Sequence, residues 1–204
     1  MIILNCEQGT PEWREARLGK PSASNFSRLI TNGGKPSTSA DKYISQLIAE
    51  RLTGESEPIF VNEHMARGTE LEPEAREHYE YITDELVEQV GFILHDSKEY
   101  GCSPDGLIKD GGLEIKCPSN NTHVHYLRYP DELVKTYYQQ IQGCMMLTGA
   151  EWWDAFSYHP SMEHVLVRVE RNDDYIKLLK TEVEKAVALI LTEVEKQNGL
   201  RAKK

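Results

Sequence analysis

A chain of 204 residues is long enough to bury a substantial core, and its mixed helix and strand patterns make one α/β domain over residues 1–204 the expectation. The apolar start, Met1 to Leu4, is far too short for a secretory leader or a membrane span, so a soluble, cytoplasmic protein with no membrane partner is expected. Its formal charge of −10 argues against a broadly basic surface, although acidic residues crowd Glu63 to Glu99 and the N-terminal part is close to balanced. Cys6, Cys102, Cys117 and Cys144 make no CxxC pair and read as reduced, mostly packed thiols.

In chain order, helices are expected at Ser24 to Ile30, Ala40 to Leu52 and Glu63 to Tyr81. Thr31 to Ser39, rich in Gly, Pro and Ser, reads as a mobile loop. A strand is expected at Val87 to His95, then a hairpin from Asp105 to Cys117. The helix that follows, Asp131 to Leu147, carries a core stripe of Leu133, Tyr137, Ile141 and Cys144, which makes Tyr137 and Cys144 packing residues. Strands at Trp152 to His159 and Val165 to Glu170 precede an amphipathic helix from Asp173 to Gln197, and Lys203 and Lys204 should fray. No repeat or interdomain linker interrupts this order.

The hairpin carries the chemistry. If Gly111 and Gly112 are the central residues of a primed turn, Asp110 lies opposite Leu113, Lys109 opposite Glu114, and Leu107 opposite Lys116. Alternation then sets Asp105, Glu114 and Lys116 on one face, while Leu113, Ile115 and Cys117 point into the core. A third turn residue without a bulge would flip Asp105 to the other side. Two carboxylates sharing a surface repel each other, whereas a hard divalent ion prefers oxygen ligands, so Mg²⁺ is the natural occupant. Such an ion lowers the pKa of a coordinated water and neutralises charge on a phosphate, and a nearby Lys can orient or deprotonate that water. The alternative is an exposed amphipathic hairpin whose charged face merely stays wet.

Pro104-Asp105 with Glu114-Ile115-Lys116 resembles the PD-(D/E)xK nuclease motif. The wider strings Cys102-Ser103-Pro104-Asp105-Gly106-Leu107 and Leu113-Glu114-Ile115-Lys116-Cys117-Pro118 are similar to the phage lambda exonuclease family, the YqaJ-type viral recombinases, and the similarity extends from about Trp13 to Arg171. The resemblance implies a restriction-endonuclease-like core, with a central mixed β-sheet flanked by helices. It implies a 5′-to-3′ exonuclease that digests one strand of linear double-stranded DNA to mononucleotides and leaves a 3′ overhang for recombination. It further implies two Mg²⁺ ions, with Mn²⁺ as a substitute, a homotrimeric ring around the DNA, a single-strand annealing protein as partner, and the cytoplasm of a bacterial or phage-infected cell.

By the same resemblance, Lys116, Glu114, Asp105, Gln140 and Glu72 form the catalytic set, and Asp105, Glu114, the Ile115 backbone carbonyl and Glu72 hold the metal. Glu72 is selected by alignment of Arg67 to Arg76 on Gly68 and Ala75-Arg76, and helical spacing groups it with Gly68, Ala75 and Tyr79, away from Glu70 and Glu74. Pro73 implies that the helix restarts or kinks there, or that Glu72 caps a second piece. Tyr137-Tyr138-Gln139-Gln140-Ile141-Gln142 resembles the family's Gln-x-Gln helix beside the active site.

Trp13 to Ser24 resembles the family segment that holds the 5′-terminal phosphate of DNA. Arg17, with a fork of donors suited to phosphate, is expected to act there with Ser24 and Ser103; Ser22 binds phosphate or caps the following helix; Trp13 packs or stacks on a base. Thr122 stands where the family has a further Arg, with His123 and His125 nearby and Lys20 and Arg128 as possible replacements. The acidic charge is reconciled with DNA if Arg14, Arg17, Lys20, Arg28 and Lys35 line a locally positive channel. A structure-specific or repair endonuclease of the same superfamily and a non-catalytic DNA-end-binding module are the alternatives.

Overall fold

The computed structural model describes residues 1–56 and 63–201, so the expectation for Lys203 and Lys204 lies outside the described residues. The chain runs β1 (Ile2–Leu4), α1 (Pro11–Arg17), a 3₁₀ turn (Ala23–Arg28), α2 (Ala40–Thr53), α3 (Glu63–Thr83), β2 (Phe92–Leu94), β3 (Gly101–Cys102), β4 (Gly106–Ile108) and β5 (Gly111–Lys116). Then follow α4 (Asn120–Arg128), α5 (Pro130–Thr148), β6 (Trp152–Ser157), β7 (Val165–Glu170) and α6 (Asp173–Arg201).

Among the described residues the strands form an antiparallel sheet of order β1-β2-β3 and a mixed sheet of order β4-β5-β6-β7, in which β5 and β6 are parallel. A parallel pair needs a crossover, and α4 with α5 supplies it. A bridge between Glu88 and Leu107 connects the two sheets. Leu113, Ile115 and Phe156 pack with Ala75 and Tyr79 of α3, whereas Trp153 and Ala155 belong to the larger core with Leu133, Ile141 and Cys144 of α5 and Leu179 and Val183 of α6. Both faces of β5 are therefore covered.

The hairpin is offset from the expected register. Leu113 lies opposite Gly106 rather than Asp110, a slip of four residues, and Lys109-Asp110 makes the turn with Lys109 at φ +41°. Gly111 and Gly112 belong to β5 instead. A Cβ on Gly111 would enter the Trp152 ring, and one on Gly112 the fully buried Trp153 ring, so these glycines serve close approach rather than turning. Gly112→Ala should cost about 1–3 kcal/mol through overpacking, read as a lower urea midpoint at unchanged slope. An unchanged midpoint would show that the ring has room to shift.

Other boundaries moved for identifiable reasons. The expected helix at Ser24 to Ile30 is the 3₁₀ turn, and Ser22 makes no side-chain cap to it. The expected strand from Val87 is confined to Phe92–Leu94, and just before it Gly91 lies so close to the Leu4 and Cys6 carbonyls that a side chain would not fit. Helix α3 is continuous through Pro73 and does not restart. The supposedly mobile Thr31 to Ser39 is tied down: Asn32 donates to the Lys135 carbonyl at 2.8 Å, Tyr175 to the Thr31 carbonyl at 3.0 Å, and Ile30 bridges Pro36. The four cysteines are free, with Cys102 and Cys144 buried.

Candidate active site

The even slip in the hairpin keeps Asp105, Glu114 and Lys116 on one face, because side chains alternate with a period of two. That face lies under α5, so Glu114 is only 1 % exposed rather than on a wet surface. Lys116 Nζ donates to Glu114 Oε1, and Gln140 Nε2 donates to the same oxygen at 2.6 Å. Glu114 Oε2 is buried without a partner. The Ile115 amide donates to Asp105 Oδ2 at 2.6 Å, which folds that carboxylate back along β5. Gln8 Nε2 donates to the Val90 carbonyl at 3.0 Å and the Pro104 carbonyl at 2.8 Å, fixing the backbone just ahead of Asp105.

Burial raises the Glu114 carboxyl to about 8, against the opposing charge of Lys116 and with the support of Asp105. Asp105 is likewise raised by burial, with Lys116 opposing. Burial alone would lower Lys116, but Glu114 and Asp105 outweigh it and hold the ammonium above the ordinary lysine range. Glu72 approaches from α3: it pairs with Arg76 at 2.7 Å and shares a cavity of about 510 Å³ with Asp105. Burial and Asp105 both raise its carboxyl. The expected grouping on α3 is visible in Ala75 and Tyr79, both fully buried, while Glu70 is exposed and Glu74 accepts from the Tyr158 hydroxyl.

The neighbouring glutamines have other tasks. Gln139 donates to the Ile30 carbonyl, and Gln142 joins the Glu170 carbonyl to the Asn172 amide, pinning α5 to the end of β7. Tyr137 does more than pack, since its ring lies 4.8 Å from Lys116 Nζ, a placement that a core-stripe reading missed.

A second cluster forms two residues upstream of Asp105. Arg17 donates to Ser103 Oγ at 3.4 Å and to Ser22 Oγ and Ser24 Oγ at 3.3 Å each. Its guanidinium lies 4.1 Å over Trp13, whose indole N–H donates to Ser103 Oγ at 2.8 Å. Trp13 thus braces Arg17. The segments meet because Ser22 bridges Gly101, the Gly101 amide donates to the Pro21 carbonyl at 3.1 Å, and α2 grips Gly19 through Glu50 and Arg51. Burial lowers Arg17, and among the described residues no carboxylate pairs with it within 4.0 Å. A half-buried fork of donors whose hydrogen-bond partners are hydroxyls suits an incoming anion.

The residues around the missing Arg lie elsewhere. Thr122 Oγ1 is 3.1 Å from Ser119 Oγ. His123 is fully buried, its ring nitrogens 2.8 Å from Ser157 Oγ and from the Glu163 carbonyl, so it ties α4 to the sheet. His125 is exposed beside Tyr129, and Arg128 donates to the Tyr129 hydroxyl. Lys20 has Arg51 and Glu99 as charged neighbours.

A model of the YqaJ-like viral recombinase domain matches residues 12–151. Among solved structures, an alkaline exonuclease from Laribacter hongkongensis is 38% identical, with 95% of this chain and 99% of that chain covered at a TM-score of 0.83. The same enzyme in complex with dAMP gives a TM-score of 0.86 at the same identity and coverage. A phage-related exonuclease from Haemophilus somnus, 14% identical with 87% of this chain and 96% of that chain covered, shares the fold at a TM-score of 0.72. The curated proteins gave no match.

Proposed function

Because the chain belongs to the YqaJ-like viral recombinase family, we propose that it is a Mg²⁺-dependent 5′-to-3′ exonuclease that digests one strand of linear double-stranded DNA to mononucleotides and leaves a 3′ single-stranded overhang. Its mixed α/β core is the restriction-endonuclease-like fold that the sequence led us to expect. No helix among the described residues is long and apolar enough to cross a membrane.

The observation that carries the reading is the juxtaposition of two clusters through Ser103-Pro104-Asp105. Ser103 belongs to the arginine-serine cluster and Asp105, two residues further along the chain, to the carboxylates. Arg17, with Ser22, Ser24 and Ser103, holds the terminal phosphate, so digestion starts at the 5′ end.

The carboxylates suit a hard cation. Glu114 Oε2 is a buried, unpartnered oxygen, the Glu114 carboxyl feels the charges of Asp105 and Glu72, and all three offer oxygen. Among the described residues no three His, Cys, Asp or Glu form a ready-made cage, so the proposed site needs further oxygen ligands from the Ile115 carbonyl, water and substrate. Asp105, Glu114, the Ile115 carbonyl and Glu72 would hold two Mg²⁺ ions, with Mn²⁺ able to substitute. The chemistry supplied by bound Mg²⁺ is a coordinated water of lowered pKa and charge neutralisation at the phosphate. Lys116, kept charged by its carboxylate neighbours, orients the attacking water, and Gln140 fixes Glu114 without adding charge. The homotrimeric ring and the single-strand annealing partner belong to the proposal on family grounds.

End-labelled linear duplex and covalently closed circular duplex, offered with Mg²⁺, test the reading. The linear substrate should be degraded and the circle spared; cutting of the circle would favour a structure-specific or repair endonuclease, and no cutting a DNA-end-binding module. A pH dependence follows. A bound cation must displace the proton that Glu114 retains up to about 8, so Mg²⁺ affinity should rise with pH to that point and flatten above it. For the metal-free protein the sign is opposite: between the ordinary 4.5 and about 8 the folded state holds a proton that the unfolded chain has lost, so stability falls as pH rises. Calorimetric Mg²⁺ titrations and thermal unfolding from about pH 6 to about pH 9 check both trends.

A further inference from the structure

Glu72 and Arg76 lie one helical turn apart on α3, and the Arg76 guanidinium donates to Glu72 Oε1 at 2.7 Å. A solvated pair at this spacing would add only about 0.3–0.5 kcal/mol. This one is enclosed on the arginine side: the Arg76 side chain is 12% exposed, against 35% for Glu72, and lines the same cavity as Glu72 and Asp105. Its far side is held as well. With the Gln89 amide turned so that its oxygen faces the guanidinium, that oxygen accepts from Nη1 at 2.7 Å and from Nη2 at 3.0 Å. Gln89 lies in the segment leading into β2, so the guanidinium spans from α3 to that segment and one carboxylate oxygen of Glu72 is fixed to both.

We propose that Arg76, braced by Gln89, is a positioning residue that aims Glu72 at the cation site of Asp105 and Glu114. The inference rests on the metal site proposed above. Carboxylates that bind metals are commonly oriented by an outer hydrogen bond, and a long, flexible Glu on a helix has several rotamers to lose before it can contribute. Arg76 restricts them through one oxygen and leaves the second for the cation. In a titration at a pH that ionises Glu72, where the help Arg76 gives to that ionisation no longer counts, simple electrostatics makes the opposite prediction: an Arg that is only a nearby positive charge, or a competitor for Glu72, should weaken Mg²⁺ binding by its presence.

The test is calorimetric titration of magnesium chloride into the purified full chain without DNA. Arg76→Ala should weaken Mg²⁺ binding by about 10–100-fold, with Arg76→Lys recovering part of the loss. Gln89→Leu, which leaves the ion pair in place, should shift the affinity in the same direction by a smaller factor. Glu72→Ala should lose as much as Arg76→Ala, and the double variant no more than either, because both remove the same ligand. Thermal unfolding of each variant shows that the titrated protein is folded. Binding by Arg76→Ala as tight as wild type or tighter, or losses that add in the double variant, would overturn the role of Arg76 alone. Absence of Mg²⁺ binding by the wild-type chain would overturn the metal site together with it.

Discussion

Lys116→Ala should reduce digestion of linear duplex by about 10²–10⁴-fold while DNA-end binding survives. The side chain is 23% exposed, joined to Glu114 and set against the Tyr137 ring, so it carries positive charge from the buried Glu114 carboxyl toward solvent. Its loss has two consequences. The attacking water is no longer oriented, and Glu114 keeps Gln140 as its remaining partner, which drives its carboxyl still higher and opposes cation binding. Single-turnover rates at saturating DNA, with end binding measured in parallel, separate the chemical step from folding and recognition. Full activity in Lys116→Ala would remove this residue from the mechanism. Lys116→Arg should not rescue, since a planar fork does not fit where a point charge bridges one oxygen and an aromatic face.

Arg17→Ala should erase discrimination between 5′-phosphorylated and 5′-hydroxyl ends. Hydrogen bonds from a charged guanidinium are worth about 1.5–3 kcal/mol, so wild-type protein should prefer the phosphorylated end by about 10–100-fold in kcat/KM. The preference rests on Arg17 and the three serines, because Thr122 bonds to Ser119 and His123 is occupied within the core. Arg17→Lys should restore little: its ammonium cannot reach Ser22, Ser24 and Ser103 as a rigid fork. A preference retained in Arg17→Ala would place phosphate recognition elsewhere on the chain.

The shared face of Asp105, Glu114 and Lys116 was legible in the sequence even though the turn was not. Gly111 and Gly112 resemble turn residues, but what selects them is the pair of tryptophan rings on β6, a contact between strands far apart in sequence. The burial of Glu114 was hidden for a related reason: alternation distinguishes two faces of a strand, not whether a helix covers both. Ser22, Ser24, Arg17 and Ser103 could be assembled only by resemblance, since the bridge from Ser22 to Gly101 joins segments with no local signal. Gln8 and Gln89 left no trace because an isolated glutamine has neither periodicity nor spacing. Arg76 did have one, as a fixed partner one turn after Glu72, but an i, i+4 pair on an acidic helix is ordinarily read as surface decoration.

The most direct measurement follows the release of label from duplexes marked at the 5′-phosphate or at the 3′ end, using chelator-treated protein before and after Mg²⁺ is restored. No release is expected without the cation and, with it, immediate release of 5′-labelled mononucleotide while the 3′ label stays in long strands. Metal-independent release, or release that begins at the 3′ end, would contradict it.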